Sequence, residues 1–588
     1  MVRPLSASAL SGLRQFAATL AMLAISACAS TGGIPTTPVA ADGGINHIGE
    51  SAAGNYLAGR EAALDQDTQT AAAYFAKALA ADPNNTEILE RAFLLDVASG
   101  DVARAAGLAK RVNSSDSATR IARLILSVDA MKHHDYAEAL KQISSTDTGD
   151  PSDVVWATVK AWADAGLGKI DDGLALMRTN NAREALGAFG LYHEALILEY
   201  AHRNAEAERA YAGALKESEG QSVRVLEAFG RFLEREGKTA DAIKLYDTYL
   251  QVVPGHPVIT AALARATRGG KPDALVPTPA DGAAEALYGL SVVLASEHAI
   301  DLPIVYNQLA LYLRPGLEPA NALLGDLYEQ QENWAQAIAA FQRIPDRSPV
   351  AQLAAVSIAR DLARVDKTDD AIALLKKWIG RGASDADTYV TLGDLYRTQE
   401  KWDLAADAYD KALKATAPDD PAAWQIIYAK GISLERAGKW DQAEPLLQQA
   451  LKLQPDQPQV LNYLGYSWID RGENLKQALS LIDRAVAQRP DDGYVVDSLG
   501  WAYYRLGDYQ SAVRYLEKAV ELKADDPTIN DHLGDAYWRI GRRLEARFQW
   551  SHALAFKPDD EEAKELKQKL QEGLTDTTAS KAPPRSGS

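Results

Sequence analysis

Small and apolar residues recur along this chain in a unit of about 34 residues, and each unit contains two stretches of helical periodicity. Three segments near the C-terminus, LNYLGYSWIDRG, VDSLGWAYYRLG and NDHLGDAYWRIG, align on Gly465, Gly500 and Gly534, which lie 35 and 34 residues apart. An aromatic residue follows three positions after each glycine: Trp468, Tyr503 and Tyr537. A second apolar stretch then carries alanines at matching places: Ala478, Ala512 and Ala546, then Ala485, Ala519 and Ala553. This pattern predicts pairs of helices.

The residue types inside each unit indicate that its two helices form a tight hairpin. Gly and Ala recur where the helices would cross, since only small side chains let two backbones approach closely. The turn residues agree with this interpretation. Asp526 suits a helix N-cap with Pro527 at the first helical position, and Asp420 with Pro421 repeats the arrangement.

The same register continues towards the N-terminus, so we predict about fourteen hairpins between residues 52 and 568. The poorest pattern lies around Leu287 to Pro315. The segment TRGGKPDALVPTPADG has three prolines, three glycines and no helical period, which predicts a linker. The predicted organisation is a degenerate array over 52–266, the linker over 267–282 and a second array over 283–571, with a flexible tether over 29–51 and a disordered tail over 572–588.

This pattern of glycine, alanine and aromatic residues resembles the tetratricopeptide repeat. The resemblance implies an all-α solenoid in which about fourteen hairpins form a superhelix. It also implies that the first helix of each hairpin lines a concave groove, which residues three before and one or four after the crossing position would face. With the arginines one residue further along, the candidate groove residues of the last four repeats are Tyr428, Asn462, Tyr466, Asp497, Trp501, Tyr504, Arg505, Asp531, Asp535, Trp538 and Arg539.

Two interpretations of these eleven residues stay open. Aromatic side chains suit partner binding because they offer a large area with few rotatable bonds, and Asn or Asp can hold a peptide backbone by hydrogen bonds. In the alternative interpretation several of the aromatic residues, including Trp501, Tyr504 and Trp538, only pack between adjacent hairpins.

The first 28 residues predict a secretory leader that ends at a lipidated cysteine. Arg3 and Arg14 precede an apolar stretch of twelve residues, Phe16 to Ala27, which is shorter than the roughly 20 residues that cross a bilayer. The sequence ISAC ending at Cys28 resembles the bacterial lipobox, which implies acyl chains on Cys28 and attachment to a membrane. Ala29 favours the periplasmic face of the outer membrane of a Gram-negative bacterium. The alternative is an ordinary signal peptide that contains the one cysteine of the chain by chance.

Charge and motif content argue against several functions. Without the leader the chain has 60 basic and 80 acidic residues, a formal charge of −20, which disfavours nucleic acid as a partner. GLGKI at 166–170 lacks two positions of a phosphate loop, and Ser467 lacks a complete nucleophile elbow. His133 and His134 would point about 100° apart on a helix, a poor geometry for one metal. We therefore predict that the chain is not an enzyme and uses no metal or cofactor.

Residues 421–558 look similar to long outer-membrane lipoproteins of proteobacteria within the repeat superfamily. Some of those proteins are adaptors for a carboxyl-terminal processing protease, which they bring to peptidoglycan hydrolases. The resemblance implies a lipid-anchored periplasmic scaffold that mediates protein–protein interactions. The alternative function is an assembly or pilot lipoprotein of an outer-membrane export, pilus or secretion complex.

Overall fold

The computed structural model describes residues 51–112, 116–143, 153–178, 180–296, 301–417 and 420–574. Within these ranges the chain forms 30 α-helices and no β-strand, which confirms the predicted all-α fold. The leader, Cys28, most of the tether and the tail from residue 575 lie outside the described residues. The chain divides into two compact units, Met1–Lys367 and Thr368–Ser588.

The described part of the first unit contains eighteen helices. They are α1 Ala52–Leu64, α2 Thr68–Ala81, α3 Thr86–Ala98, α4 Val102–Ala109, α5 Asp116–Lys132, α6 Tyr136–Ile143, α7 Asp153–Gly166, α8 Ile170–Met177, α9 Asn180–Tyr200, α10 Asn204–Glu217, α11 Val223–Arg235, α12 Thr239–Val252, α13 Pro257–Thr267, α14 Pro279–Ala295, α15 Asp301–Leu313, α16 Glu318–Gln330, α17 Trp334–Phe341 and α18 Ala351–Arg364. Consecutive helices from α1 to α12 and from α14 to α17 pack as eight hairpins. We call the leading member of each hairpin its first helix and the other its second helix.

The described part of the second unit contains twelve helices. They are α19 Thr368–Gly380, α20 Ala386–Thr398, α21 Trp402–Ala415, α22 Ala423–Arg436, α23 Trp440–Leu453, α24 Pro458–Arg471, α25 Leu475–Gln488, α26 Gly493–Arg505, α27 Tyr509–Leu522, α28 Pro527–Arg539, α29 Arg543–Ala555 and α30 Asp560–Glu572. Helices α20 to α29 form five hairpins, and α30 packs on α29 after the last of them.

The small residues lie at the helix crossings, as predicted. A β-carbon added to Gly393 would lie 2.6 Å from Cε1 of Tyr409, and one added to Gly500 would lie 2.6 Å from Cγ of Leu516. Such distances are far inside van der Waals contact, so larger side chains at these positions would push the two helices of the hairpin apart.

The two predicted N-caps differ in outcome. Asp526 caps α28, where its carboxylate accepts a hydrogen bond of 2.9 Å from the backbone N–H of Ile529, so this prediction is confirmed. The prediction for Asp420 is wrong because α22 begins only at Ala423. Asp420 instead accepts a hydrogen bond of 2.7 Å from the N–H of Ala422 in the preceding turn.

The predicted linker 267–282 is shorter in the structure. Helix α13 ends at Thr267 and α14 begins at Pro279, so the last four residues of the predicted linker are helical. The hydroxyl of Thr278 caps this helix by accepting a hydrogen bond of 3.2 Å from the N–H of Asp281. The division between the compact units also differs, because it falls after Lys367 and not at the linker.

The hairpin α14–α15 explains why the two divisions differ. The repeat pattern predicts this hairpin in the second array, but α14 packs against α5, α7 and α9, and α15 packs against α3, α4 and α5. Most residues of both helices are buried. The segment with the poorest repeat pattern is therefore an inserted hairpin that belongs to the core of the first unit.

Candidate protein-interaction surfaces

The first helices of the second to fifth hairpins, α3, α5, α7 and α9, carry the inserted hairpin on their shared face. Gly282 of α14 lies against the indole of Trp162, where an added β-carbon would approach the ring within 2.2 Å. Tyr312 of α15 donates a hydrogen bond of 2.7 Å to the carboxylate of Asp129 in α5. This face of the first unit is therefore occupied by the chain itself.

A buried ion pair joins the inserted hairpin to α11. Arg224 donates two hydrogen bonds of 2.6 Å to the carboxylate of Glu285, and the hydroxyl of Tyr192 donates a third of 3.0 Å. Burial acts to raise the pKa of Glu285, but the Arg224 guanidinium outweighs it and lowers that pKa below its ordinary value. The carboxylate is thus held ionised inside the unit.

A second polar contact in the same core depends on a neutral histidine. The indole N–H of Trp162 donates a hydrogen bond of 3.1 Å to Nδ1 of His193, and both side chains are completely buried. Burial lowers the pKa of His193 to about 4, because the charged ring loses its hydration. An acceptor at Nδ1 requires the neutral imidazole.

In the second unit the first helices pack directly on one another, α24 on α26 and α26 on α28. The ring of Trp501 lies stacked on Tyr504 and on His532, with centroid distances of 4.6 Å and 4.0 Å. Trp501 has no exposed surface and Tyr504 is buried. The prediction that these two residues line an open groove is wrong, because neighbouring first helices cover them, as the alternative interpretation held.

Two of the predicted acidic groove residues are also buried. Asp497 lies 2.9 Å from Nδ1 of His532, and Asp535 accepts a hydrogen bond of 2.9 Å from the indole N–H of Trp550. Neither carboxylate is exposed. Their prediction as groove residues is corrected for the same reason: each one completes a hydrogen bond between helices.

Lys569 of α30 closes the end of this packed face. Its ammonium donates hydrogen bonds of 2.7 Å to Asp531 and of 3.0 Å to Asp535. Burial acts to lower the pKa of Lys569, but Asp531 and Asp535 outweigh it and raise that pKa. Asp531, a predicted groove residue, is therefore bound within the chain. Helix α30, Asp560–Glu572, thus covers the end of the array although it is rich in charged residues, and Lys569 is buried.

The remaining predicted groove residues are partly exposed: Tyr428, Asn462, Tyr466, Arg505, Trp538 and Arg539. Oδ1 of Asn462 has no hydrogen-bond partner among the described residues. Arg505 lies 3.7 Å from Asp470 in a loose ion pair. These six residues stay a prediction for partner binding. The candidate surface therefore keeps about half of the eleven predicted groove residues.

Sequence reasoning missed the inserted hairpin and the role of Lys569. The signal for the hairpin lies in ALYGLSVVLA, residues 286 to 295, which has no charged residue and apolar residues on every side of the predicted helix. No comparable signal marks Lys569, because it lies among alternating charges in a helix with exposed neighbours.

No helix among the described residues is long and apolar enough to cross a bilayer. The described ranges also contain no group of three or more His, Cys, Asp or Glu side chains placed to hold a metal ion.

The stacked hairpins define the chain as an α-solenoid. Models of the tetratricopeptide repeat match residues 192–257, 322–387 and 428–493, then 384–456, and a further TPR repeat model matches 500–541. The chain is thus built from repeats of the tetratricopeptide type over these residues, as its glycine and alanine pattern predicted. Such repeats form scaffolds for protein–protein interaction.

A human protein, the O-mannosyl-transferase TMTC1, is 27% identical over 142 residues, which cover 24% of this chain and 16% of that protein. The chain thus spans about a sixth of the length of the curated relative it matches.

Solved structures with similar helices include the APC/C hetero-tetramer Cut9-Hcn1, at 16% identity and a TM-score of 0.37 over 88% of this chain and 96% of that one. A tetratricopeptide repeat protein from Parabacteroides merdae has 13% identity and a TM-score of 0.36 over 43% and 97% of the two chains. YrrB, a TPR protein described as having an unusual peptide-binding site, has 23% identity and a TM-score of 0.28 over 32% and 94%.

Proposed function

We propose that this chain is a lipid-anchored scaffold at the periplasmic face of the outer membrane, which brings a processing protease to peptidoglycan hydrolases. The repeats supply the scaffold. The lipobox that ends at Cys28 supports the anchor, and the resemblance of residues 421–558 to adaptor lipoproteins supports the client. Two proteins held on one array meet at an effective concentration that reaches about the millimolar range. Such a concentration favours cleavage of the tethered substrate over free proteins.

One observation supports the second unit as the place of client binding. The face formed by α3, α5, α7 and α9 in the first unit is filled by the α14–α15 hairpin. The corresponding first helices of the second unit keep Tyr466 and Arg505 partly exposed. A polar, aromatic surface of this kind suits an extended peptide.

Affinity purification from crosslinked cells, followed by mass spectrometry, tests this proposal. We expect the wild-type chain to recover a processing protease and wall hydrolases. A Tyr466→Ala, Arg505→Ala double variant should recover at least about tenfold less of them. Lys518→Ala, which removes an exposed side chain of the second helix α27, is the matched control and should behave like the wild type.

Recovery of an export, pilus or secretion complex in place of the protease would contradict the adaptor proposal and favour an assembly factor. Equal recovery by the double variant and the wild type would instead remove the first-helix face of the second unit as the client site.

The anchor has its own test. Cys28→Ser should move the protein from the membrane fraction to the soluble fraction and abolish labelling with a fatty-acid analogue. Acyl labelling that persists in this variant would refute lipidation at Cys28.

A further inference from the structure

The outer face of α29 departs from the pattern of the second helices before it. Leu544 and Phe548 lie one turn apart and are 82% and 64% exposed. At the same two places α21, α23 and α27 carry exposed residues of other kinds: Asp403 and Asp407, Asp441 and Pro445, Gln510 and Arg514. Helix α25 carries Lys476 and Ser480 there, and both are exposed. Among the described second helices of the second unit, only α29 exposes two large apolar side chains at these two places.

Aromatic rings extend this face along α29. The ring of Phe548 stacks on His552 with a centroid distance of 5.7 Å, and His552 meets Phe556 edge-on at 4.7 Å. Residues at intervals of four lie on one side of a helix, so these rings and Leu544 form one stripe over three turns.

Two arginines lie along one side of the stripe, and each precedes one of its exposed apolar residues. The guanidinium groups of Arg543 and Arg547 lie 5.2 Å and 5.9 Å from the ring centroid of Trp538. Neither arginine has an ion pair among the described residues, whereas the neighbouring Arg542 is paired with Glu517 and Glu545. Two uncompensated cations therefore stand beside exposed apolar groups in a strongly acidic chain.

We propose that this face of α29 is a second docking surface, and that it takes an acidic segment of another protein with one or two large apolar side chains. Leu544 and Phe548 would hold the apolar anchors, and Arg543 and Arg547 would pair with carboxylates along one side of them. Trp and Arg are the residue types that most often dominate interface energetics. The charge of the pair also steers acidic partners and makes binding dependent on salt.

Other occupants fit this surface less well. The tail after residue 574, TDTTASKAPPRSGS, has one acidic and two basic residues and no large apolar side chain. A second copy placed face to face would bring the same arginines together. An anionic bilayer would meet a chain of formal charge −18, and the rest of α29 is committed to packing through Ala546, Trp550 and Ala553.

A random peptide library displayed on phage, selected against the full-length protein, identifies the partner chemistry without assuming a sequence. We expect the selected peptides to be enriched in Asp and Glu around Leu, Phe or Trp. Two double variants, Leu544→Ser with Phe548→Ser and Arg543→Glu with Arg547→Glu, should each lower the peptide affinity at least about tenfold. Added salt should also lower the affinity of the wild type. Val252→Ser is the matched control, because Val252 is 80% exposed on α12, and it should leave binding unchanged.

Selected peptides without acidic enrichment, or with equal affinity for all variants, would overturn the proposal. Two further measurements decide for the other occupants. If the wild type self-associates in analytical ultracentrifugation and the Leu544→Ser, Phe548→Ser variant does not, the surface is a contact between copies. If the wild type binds phosphatidylglycerol vesicles but no peptide, and the variant binds neither, the surface is a membrane contact. The Tyr466→Ala, Arg505→Ala variant should keep full peptide affinity, which separates this surface from the proposed client site.

Discussion

Arg224 of α11 donates two hydrogen bonds of 2.6 Å to Glu285 of α14, and this buried pair ties the inserted hairpin to the repeats around it. The side chain of Glu285 is 2% exposed and that of Arg224 is 20% exposed. Removing one partner of such a pair leaves an unpaired charge in a region of low polarity, which costs far more than the pair contributes.

We expect Arg224→Ala to lower the free energy of unfolding by about 3–5 kcal/mol. The measurement is urea unfolding of the full chain followed by circular dichroism. Arg203→Ala removes an arginine paired with the exposed Asp171 and should change the curve little. An Arg224→Leu, Glu285→Leu double variant should recover most of the loss. A small effect of Arg224→Ala alone would show that water reaches Glu285.

The close contact between Gly282 and Trp162 allows a steric test of the same hairpin. An added β-carbon would lie 2.2 Å from the indole of Trp162, so Gly282→Ala should overpack the core and cost about 1–3 kcal/mol or more. Gly107 in α4 is the matched control, because nothing lies within 4 Å of its added β-carbon. Gly107→Ala should raise stability by about 0.5–1 kcal/mol through helix propensity. Thermal melting of both variants checks the signs, and a stabilising Gly282→Ala would contradict the packing of α14.

His193 predicts a pH dependence of stability. Its pKa is about 4 in the folded chain and 6.5 as the ordinary value, so between these pH values the unfolded chain binds a proton that the folded chain does not. Stability therefore falls as pH drops from 6.5 towards about 4, by about 3 kcal/mol in total, and is unaffected by this group above 6.5.

The measurement is the urea midpoint of the wild type and of His193→Gln across that pH range. The glutamine can still accept the Trp162 hydrogen bond but does not titrate, so the wild-type midpoint should fall relative to that of the variant as the pH falls from 6.5 towards about 4. Parallel curves would show that His193 is solvated or protonated in the folded chain.

Replacing Trp501 should lower the stability of the fold and not only the affinity for a partner. Its ring is completely buried between Tyr504 and His532, so Trp501→Ala should cost about 3–5 kcal/mol. Tyr494→Ala, at a side chain that is 39% exposed on the same helix, should cost much less. Thermal melting by circular dichroism distinguishes them. An unchanged melting temperature for Trp501→Ala would restore Trp501 as a groove residue.

The hairpins of the second unit could be predicted closely because the crossing positions repeat in the sequence. Gly465, Gly500 and Gly534 each lie against the second helix of their own hairpin, about twelve to seventeen residues further along the chain. Local spacing also placed the N-cap Asp526, since a cap depends on residues three positions away.

The partners of the predicted groove residues could not be obtained in the same way. Repeat position assigns Trp501 to one side of α26, but it does not say how closely α28 approaches that side. The structure brings His532 onto the ring and Lys569 onto Asp535, contacts between residues 31 and 34 positions apart. Their burial depends on the rotation between repeats, which no single repeat specifies.

The sequence by itself determined the all-α class, the 34-residue hairpin and the small residues at its crossings, because these depend on contacts within one hairpin. Tertiary structure alone decided that α14–α15 lies in the first unit. Helices that are apolar on every side have no amphipathic stripe to predict a neighbour. Their place is set by the shapes that Trp162, Phe189 and the surrounding first helices leave to be filled, and those shapes exist only once the repeats have packed.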